Sequence, residues 1–234
     1  GPLPHLMDVW KAAGTAIDFL SPDFYNPDFK HWCDLYTRQG DPLFVPEHRF
    51  DKTTGAKAAY TIGHYEGLGF APFSIESTDE PEQEPLGKMY DLLAQMTPLI
   101  TRHQGQGKIE GVLFDKNDTE KVITMGNYVL TCRHDYTLGW SPNAKNDTWE
   151  SGGAVIVQAG TEEYFVAGSG VVITFQPMDR ALNAGILTTE EGTFSEEKWK
   201  SGRRLNGDQT HQGRHIRLEM GEYRIQRFEL YTYE

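Results

Sequence analysis

The chain has 234 residues, 38% of them hydrophobic, which is enough for one large domain or two modest ones and too much for a disordered protein. Thirty-four acids against twenty-two bases leave a formal charge of −12, which repels a phosphate backbone and offers no basic patch to anionic lipid, so nucleic acid and membrane surfaces are set aside as partners. No apolar run reaches the roughly eighteen residues of a membrane span, the first residues carry no basic-then-apolar leader pattern, and Cys33 and Cys132 lie too far apart to suggest a zinc site or a disulfide framework.

The chain opens on a helix. Leu6, Met7, Val9, Trp10 and Ala13 recur at helical spacing over residues 4–13, with a proline near the start and Gly14 at the stop. Residues 17–25 then read as an apolar strand running into a polar and aromatic loop. A second helix carries Phe29, Trp32, Cys33, Leu35 and Tyr36 on one stripe and ends at Gly40. The apolar run Pro42-Leu43-Phe44-Val45-Pro46 closes on Glu47 and reads as a strand buried on both faces that ends in an acid. A helical stretch around residues 55–64 leads to a third strand, residues 69–76, which again finishes on an acid, Glu76.

Strands separated by helices of this length are successive βα units, which pair in parallel with right-handed crossovers. Three of them do not close a barrel, because an eight-stranded (β/α)8 barrel takes about 200 residues or more. The missing strands are therefore expected upstream. The acidic stretch 78–84 reads as a solvated connection, and a long helix follows over residues 86–103, with a kink expected at Pro98. Gln104-Gly105-Gln106-Gly107 marks the expected boundary between a first domain, residues 1–104, and a second, residues 105–234.

Beyond that point the period becomes alternating. Strand candidates cover residues 109–114, 121–133, 153–158, 163–167, 171–176, 216–219 and 223–231, separated by turn signals, which is the pattern of an antiparallel sandwich or barrel. Residues 179–214 are left without strands, with a helical turn expected at 196–201. The fold class is thus α/β plus all-β: the C-terminal portion, strands six to eight, of a (β/α)8 barrel followed by an antiparallel β-sandwich.

Chemistry in such barrels sits where strands end, so Glu47 is the leading catalytic candidate. Other constellations are weaker. His211 and His215 have i, i+4 spacing, but Gly213 lies between them and HQGRH lacks the glutamate of a zinc protease motif. Gly-x-Gly pairs at Gly67, Gly105 and Gly168 lack the further glycine and helix start of a dinucleotide loop. No cofactor and no metal is expected. Ser169 stands between glycines at an expected hairpin, not at a strand-to-helix elbow. Asn117-Asp118-Thr119 and Asn146-Asp147-Thr148 fit glycosylation sequons. Trp140, Trp149 and Trp199 are candidates either for sugar contact or for packing at a domain interface.

Taken together, Ile17-Asp18-Phe19-Leu20-Ser21-Pro22-Asp23-Phe24-Tyr25, Pro42-Leu43-Phe44-Val45-Pro46-Glu47 and Gly69-Phe70-Ala71-Pro72-Phe73-Ser74-Ile75-Glu76 resemble the last three barrel strands of bacterial glycoside hydrolase family 35, the β-galactosidase family. The resemblance covers about the first hundred residues, and the β-rich remainder looks like the domain that follows the barrel in a branch of that family. It implies a retaining hydrolase of terminal β-galactosides with Glu47 as nucleophile. The acid/base glutamate would come from an upstream segment, the N-terminal half of the same barrel, which becomes the expected partner. By the same resemblance Tyr25 orients the nucleophile, and it is equally read as a wall of the sugar pocket. Arg49 is a second orienting candidate and Glu76 a sugar-binding one. A periplasmic or secreted location is implied by the resemblance alone. The competing reading is a non-catalytic carbohydrate-binding or structural module.

Overall fold

A computed structural model describes residues 3–234. Most of the regular structure is antiparallel β-sheet, with few helices. After a 3-10 turn, Pro4–Leu6, come α1 (Met7–Ala13) and α2 (Phe29–Thr37), then β1 (Phe44–Val45), α3 (Thr54–His64), β2 (Gly69–Phe70) and α4 (Pro85–His103). The remainder is β3 (Ile109–Phe114), β4 (Glu120–Met125), β5 (Tyr128–His134), β6 (Gly152–Gln158), β7 (Glu163–Ser169), β8 (Val171–Pro177), β9 (Asn183–Ser195), β10 (Lys198–Arg204), β11 (Ile216–Leu218) and β12 (Arg224–Tyr233). None of the helices is long and apolar enough to cross a membrane, among the described residues.

Two antiparallel sheets face one another, one ordered β10-β9-β12-β7-β6-β3 and the other β11-β8-β5-β4. The alternation of side chains along each strand divides the interior into two cores. Ala154 and Ile156 of β6, Tyr164 and Val166 of β7 and Phe228 and Leu230 of β12 point to the four-stranded sheet and meet Leu130, Cys132 and Ile173 there. Val155, Val157, Phe165, Ala167 and Ile225 point the other way, against α3, α4 and the aromatic residues of the first hundred positions. Strands β6 and β7 at the centre of the six-stranded sheet are therefore buried on both faces, and residues on either side of 104–107 contribute to the core they share with α3 and α4. Cys33 belongs to one core and Cys132 to the other, both buried and free.

The helices fall where the sequence places them, and α4 continues through Pro98. The strands of the first hundred residues are much shorter than expected. Residues 17–25 form no strand and contribute one parallel bridge, Asp23 to Glu47. The third candidate strand is reduced to Gly69–Phe70, paired in parallel with Phe44–Val45. Parallel hydrogen bonding continues past both, from the Ala71 amide to the Val45 carbonyl and from the Phe73 amide to the His48 carbonyl, each 2.8 Å. Ser74 then turns left-handed and starts a 3-10 turn, Ile75–Ser77, so Glu76 lies beyond the strand and not at its end.

Three expectations for the β region also change. The candidate 121–133 is a hairpin of β4 and β5, turned at Gly126 with φ +61°. Residues 179–214, left without strands, contain β9 and β10, and the helical turn expected at 196–201 is their hairpin, with Glu196 and Glu197 at φ 54° and 61°. Charged residues on both faces of this hairpin hide its period of two. Ser169 sits not in a hairpin but at a corner, because β7 and β8 belong to opposite sheets and Gly170, φ +74°, turns the chain between them.

Candidate active site

Glu47 is half-buried two residues after β1, and its backbone is held on one side by the parallel bridge to Asp23. The Phe24 amide donates to the Glu47 carbonyl at 3.3 Å, which brings the next side chain, Tyr25, over the same site. The Tyr25 hydroxyl donates to Glu47 Oε1 at 2.5 Å. This bond to a carboxylate, with smaller contributions from burial and from the Glu47 and Asp23 charges, raises the Tyr25 pKa, whereas Arg49 opposes the rise. Tyr25 is thus a stable donor to that carboxylate.

His48, next in the chain, points the opposite way and is 2% exposed. It is enclosed by Phe24, Phe29 and Phe70, with ring centroids at 5.3, 5.3 and 5.6 Å. Its Nδ1 lies 2.7 Å from the Phe24 carbonyl, which can only accept, so Nδ1 carries the proton and Nε2 is left to accept from Lys57 Nζ at 2.9 Å. Burial first, and the Lys57 charge second, push the His48 pKa down, which keeps the ring neutral. Burial also lowers that of Lys57, against the pull of Asp51. Asp51 accepts from the Thr53 amide at 2.8 Å and the Thr53 hydroxyl at 2.5 Å; burial works against its ionisation, but these bonds and Lys57 hold its pKa low. One buried chain of contacts from α3 to the Phe24 carbonyl therefore braces the backbone that carries Tyr25 and Glu47. His48 and Lys57 are not marked as site residues by the sequence; the available signal is that His48 directly follows the candidate acid at the end of an apolar run.

The remaining candidates are dispersed. Arg49 is exposed and forms no hydrogen bond to Glu47 among the described residues, although its charge reaches Tyr25. Glu76 is exposed on its 3-10 turn. His211 and His215 lie on an irregular turn in which His211 and Gln212 are left-handed, not on a helix. Their rings stack at 5.5 Å beneath Trp140, which also receives the Arg217 guanidinium at 5.2 Å. Trp199 packs on Phe165 and Phe194 and donates to Glu190 Oε1 at 2.6 Å.

Two cavities open between the first hundred residues and the sandwich. One, of about 550 Å³, is lined by Tyr25, Lys30, Arg49, Asp115, Asp118 and Ser151 among others, and Glu47 is not part of its lining. The second, of about 670 Å³, is lined by Lys88, Tyr136, Asn143, Trp149, Glu150 and Tyr223, and shares Thr53 and Ser151 with the first.

By class, the fold is an antiparallel two-sheet β protein with helices packed on the outer face of its larger sheet. Residues 86–217 match the model of a family described as a domain of unknown function, DUF5597. The match spans more than half of the chain, and the chain belongs to that family. It runs from α4 to β11 and so lies entirely outside Tyr25 and Glu47. No curated protein matches the chain.

Proposed function

We propose that this chain is the C-terminal part of a retaining glycoside hydrolase of the β-galactosidase type, with Glu47 as nucleophile. The observation that carries the reading is the 2.5 Å bond from the Tyr25 hydroxyl to Glu47 Oε1, made at the carboxyl end of a parallel strand flanked by two further parallel segments. Chain order, parallel pairing and an acid with an aromatic hydroxyl on it are what strands six to eight of a (β/α)8 barrel would present. In the reaction, Glu47 attacks the anomeric carbon while a second carboxyl group protonates the departing oxygen. Water, deprotonated by that second group, then releases the sugar from the glycosyl-enzyme.

The second carboxyl group is assigned to the N-terminal half of the barrel, and the exposed apolar side chains Trp10, Leu68 and Phe73 are surface that such a segment would cover. Retention requires it at about 5–5.5 Å from Glu47, whereas an inverting pair stands about 6.5–9.5 Å apart. Trapping the full-length protein with a 2-fluorogalactosyl fluoride and locating the adduct by peptide mass spectrometry tests the assignment. An adduct on Glu47 is expected, and an adduct on any other carboxylate would overturn it. The alternative, a non-catalytic carbohydrate-binding module, is favoured by the fact that Glu47 lines neither cavity; it predicts sugar binding without an adduct.

A further inference from the structure

The two cavities adjoin and are treated as two parts of one groove. Thr53 and Ser151 line both, and Tyr25, which holds Glu47, lines the first. Each lies within the roughly 300–1,000 Å³ of small-molecule sites, so together they exceed the needs of a single monosaccharide.

The far part of the groove is furnished with rings and balanced polar groups. Trp149 is half-buried, its indole donating to the Ala144 carbonyl at 3.3 Å and its ring set against His134 at 4.8 Å and edge-on to Tyr136 at 5.6 Å, so its orientation is fixed. Tyr223 is likewise half-buried, with Lys88 Nζ 5.9 Å from its ring centre. The Tyr136 hydroxyl donates to Glu150 Oε1 and accepts from Asn143 Nδ2, both at 3.3 Å. Of the two lysines that line it, Lys52 is paired with Glu84 at 3.0 Å and Lys88 is set against Tyr223. The charges balance locally, which disfavours an ionic ligand. Flat rings for C–H faces, beside amide and carboxylate groups for hydroxyls, suit a neutral polyhydroxylated chain.

We infer that this groove is an extended subsite that binds the leaving-group side of a neutral oligosaccharide, with Trp149 as its stacking platform. The inference rests on the hydrolase reading for direction, because it places the distal sugar units on the sandwich and the cleaved bond at the Tyr25 end. It makes the sandwich part of the substrate site.

The test is calorimetric titration of the full-length protein carrying Glu47→Gln, so that nothing is cleaved, with β-linked tetrasaccharides of galactose and of glucose, against the two monosaccharides. At least one tetrasaccharide should bind more than tenfold tighter than its monosaccharide, and Trp149→Ala should remove roughly tenfold of that affinity. Since Trp149→Ala also removes packing from His134, Glu150→Gln on the exposed rim provides the second variant, expected to weaken the tetrasaccharide about threefold with unchanged thermal unfolding. Tetrasaccharides that bind no tighter than monosaccharides, or that bind both variants as tightly as the parent, overturn the groove. Binding with these losses, but no adduct on Glu47 in the full-length protein, would leave the groove standing and remove the hydrolase reading. An adduct on Glu47 without tetrasaccharide preference would do the reverse.

Discussion

Gly63 of α3 and Gly111 of β3 meet backbone to backbone: a Cβ on Gly63 would stand 2.6 Å from the Gly111 Cα, and one on Gly111 would stand 2.6 Å from the His64 amide nitrogen. The seam continues to Gly153 of β6, where a Cβ would come within 2.7 Å of Ala56. Small residues let α3 lie directly on the sheet, and α3 also carries Lys57, the group that holds His48. The packing of helix on sandwich and the brace behind Glu47 thus depend on the same helix. Gly63→Ala should destabilise the chain by about 1–3 kcal/mol, since backbone atoms cannot step aside as a side chain can. Urea denaturation checks this; an unchanged midpoint would mean that α3 has room to shift.

Glu47→Gln keeps the shape of the side chain and removes the charge that would attack the anomeric carbon. In the full-length protein, turnover of an aryl galactoside should fall by several powers of ten, with the circular dichroism spectrum unchanged. Near-normal turnover in a folded variant would exclude Glu47 as nucleophile. Glu76→Gln, on its exposed turn, should cost far less.

Tyr25→Phe deletes one hydroxyl and with it the bond to Glu47. The expected result is a fall in kcat of about ten- to hundredfold, with thermal stability close to that of the parent. Because the bond to Glu47 raises the Tyr25 pKa, the phenol remains a donor through neutral and mildly alkaline pH. An alkaline limb of activity that vanished in Tyr25→Phe would contradict that.

His215 supplies a pH dependence of stability. Burial first, then the positive charges of His211 and Arg217, lower its pKa from 6.5 to about 4, while Asp135 pulls the other way. A base with a depressed folded pKa takes up its proton first in the unfolded chain. Stability is therefore full above about pH 6.5 and is lost as pH falls toward 4, by about 3 kcal/mol in total from this group. His48 and His134, also lowered chiefly by burial, act in the same direction. In His215→Gln the loss of stability between pH 7 and pH 4.5 should be smaller by about 2 kcal/mol. Equal losses in the two proteins, measured by urea unfolding at each pH, would show that His215 is not the titrating group.

The amino-acid order alone determined the helices and most of the sandwich. Leu86, Met89, Leu93, Met96 and Ile100 repeat at the helical period and all are buried on α4, and β5 alternates buried and half-buried along its length. These are local periodicities, legible wherever one face is wet and the other dry. Glu47 stood out because an apolar run stops at it. The hairpin of β9 and β10 was not legible, because both faces carry charge and no alternation marks it. The strand candidates within 17–25 and 69–76 fold shorter than their apolar runs, since such a run shows burial but not the partner that turns burial into a ladder. Pairings distant in sequence were decided only by the tertiary structure: Tyr25 with Glu47, His48 between Phe24 and Lys57, Gly63 against Gly111, and Trp149 with Tyr223 on one groove. A hydrogen bond or a backbone contact depends on where two segments meet in space, and that is set by the packing of α3 and the six-stranded sheet around a core they share.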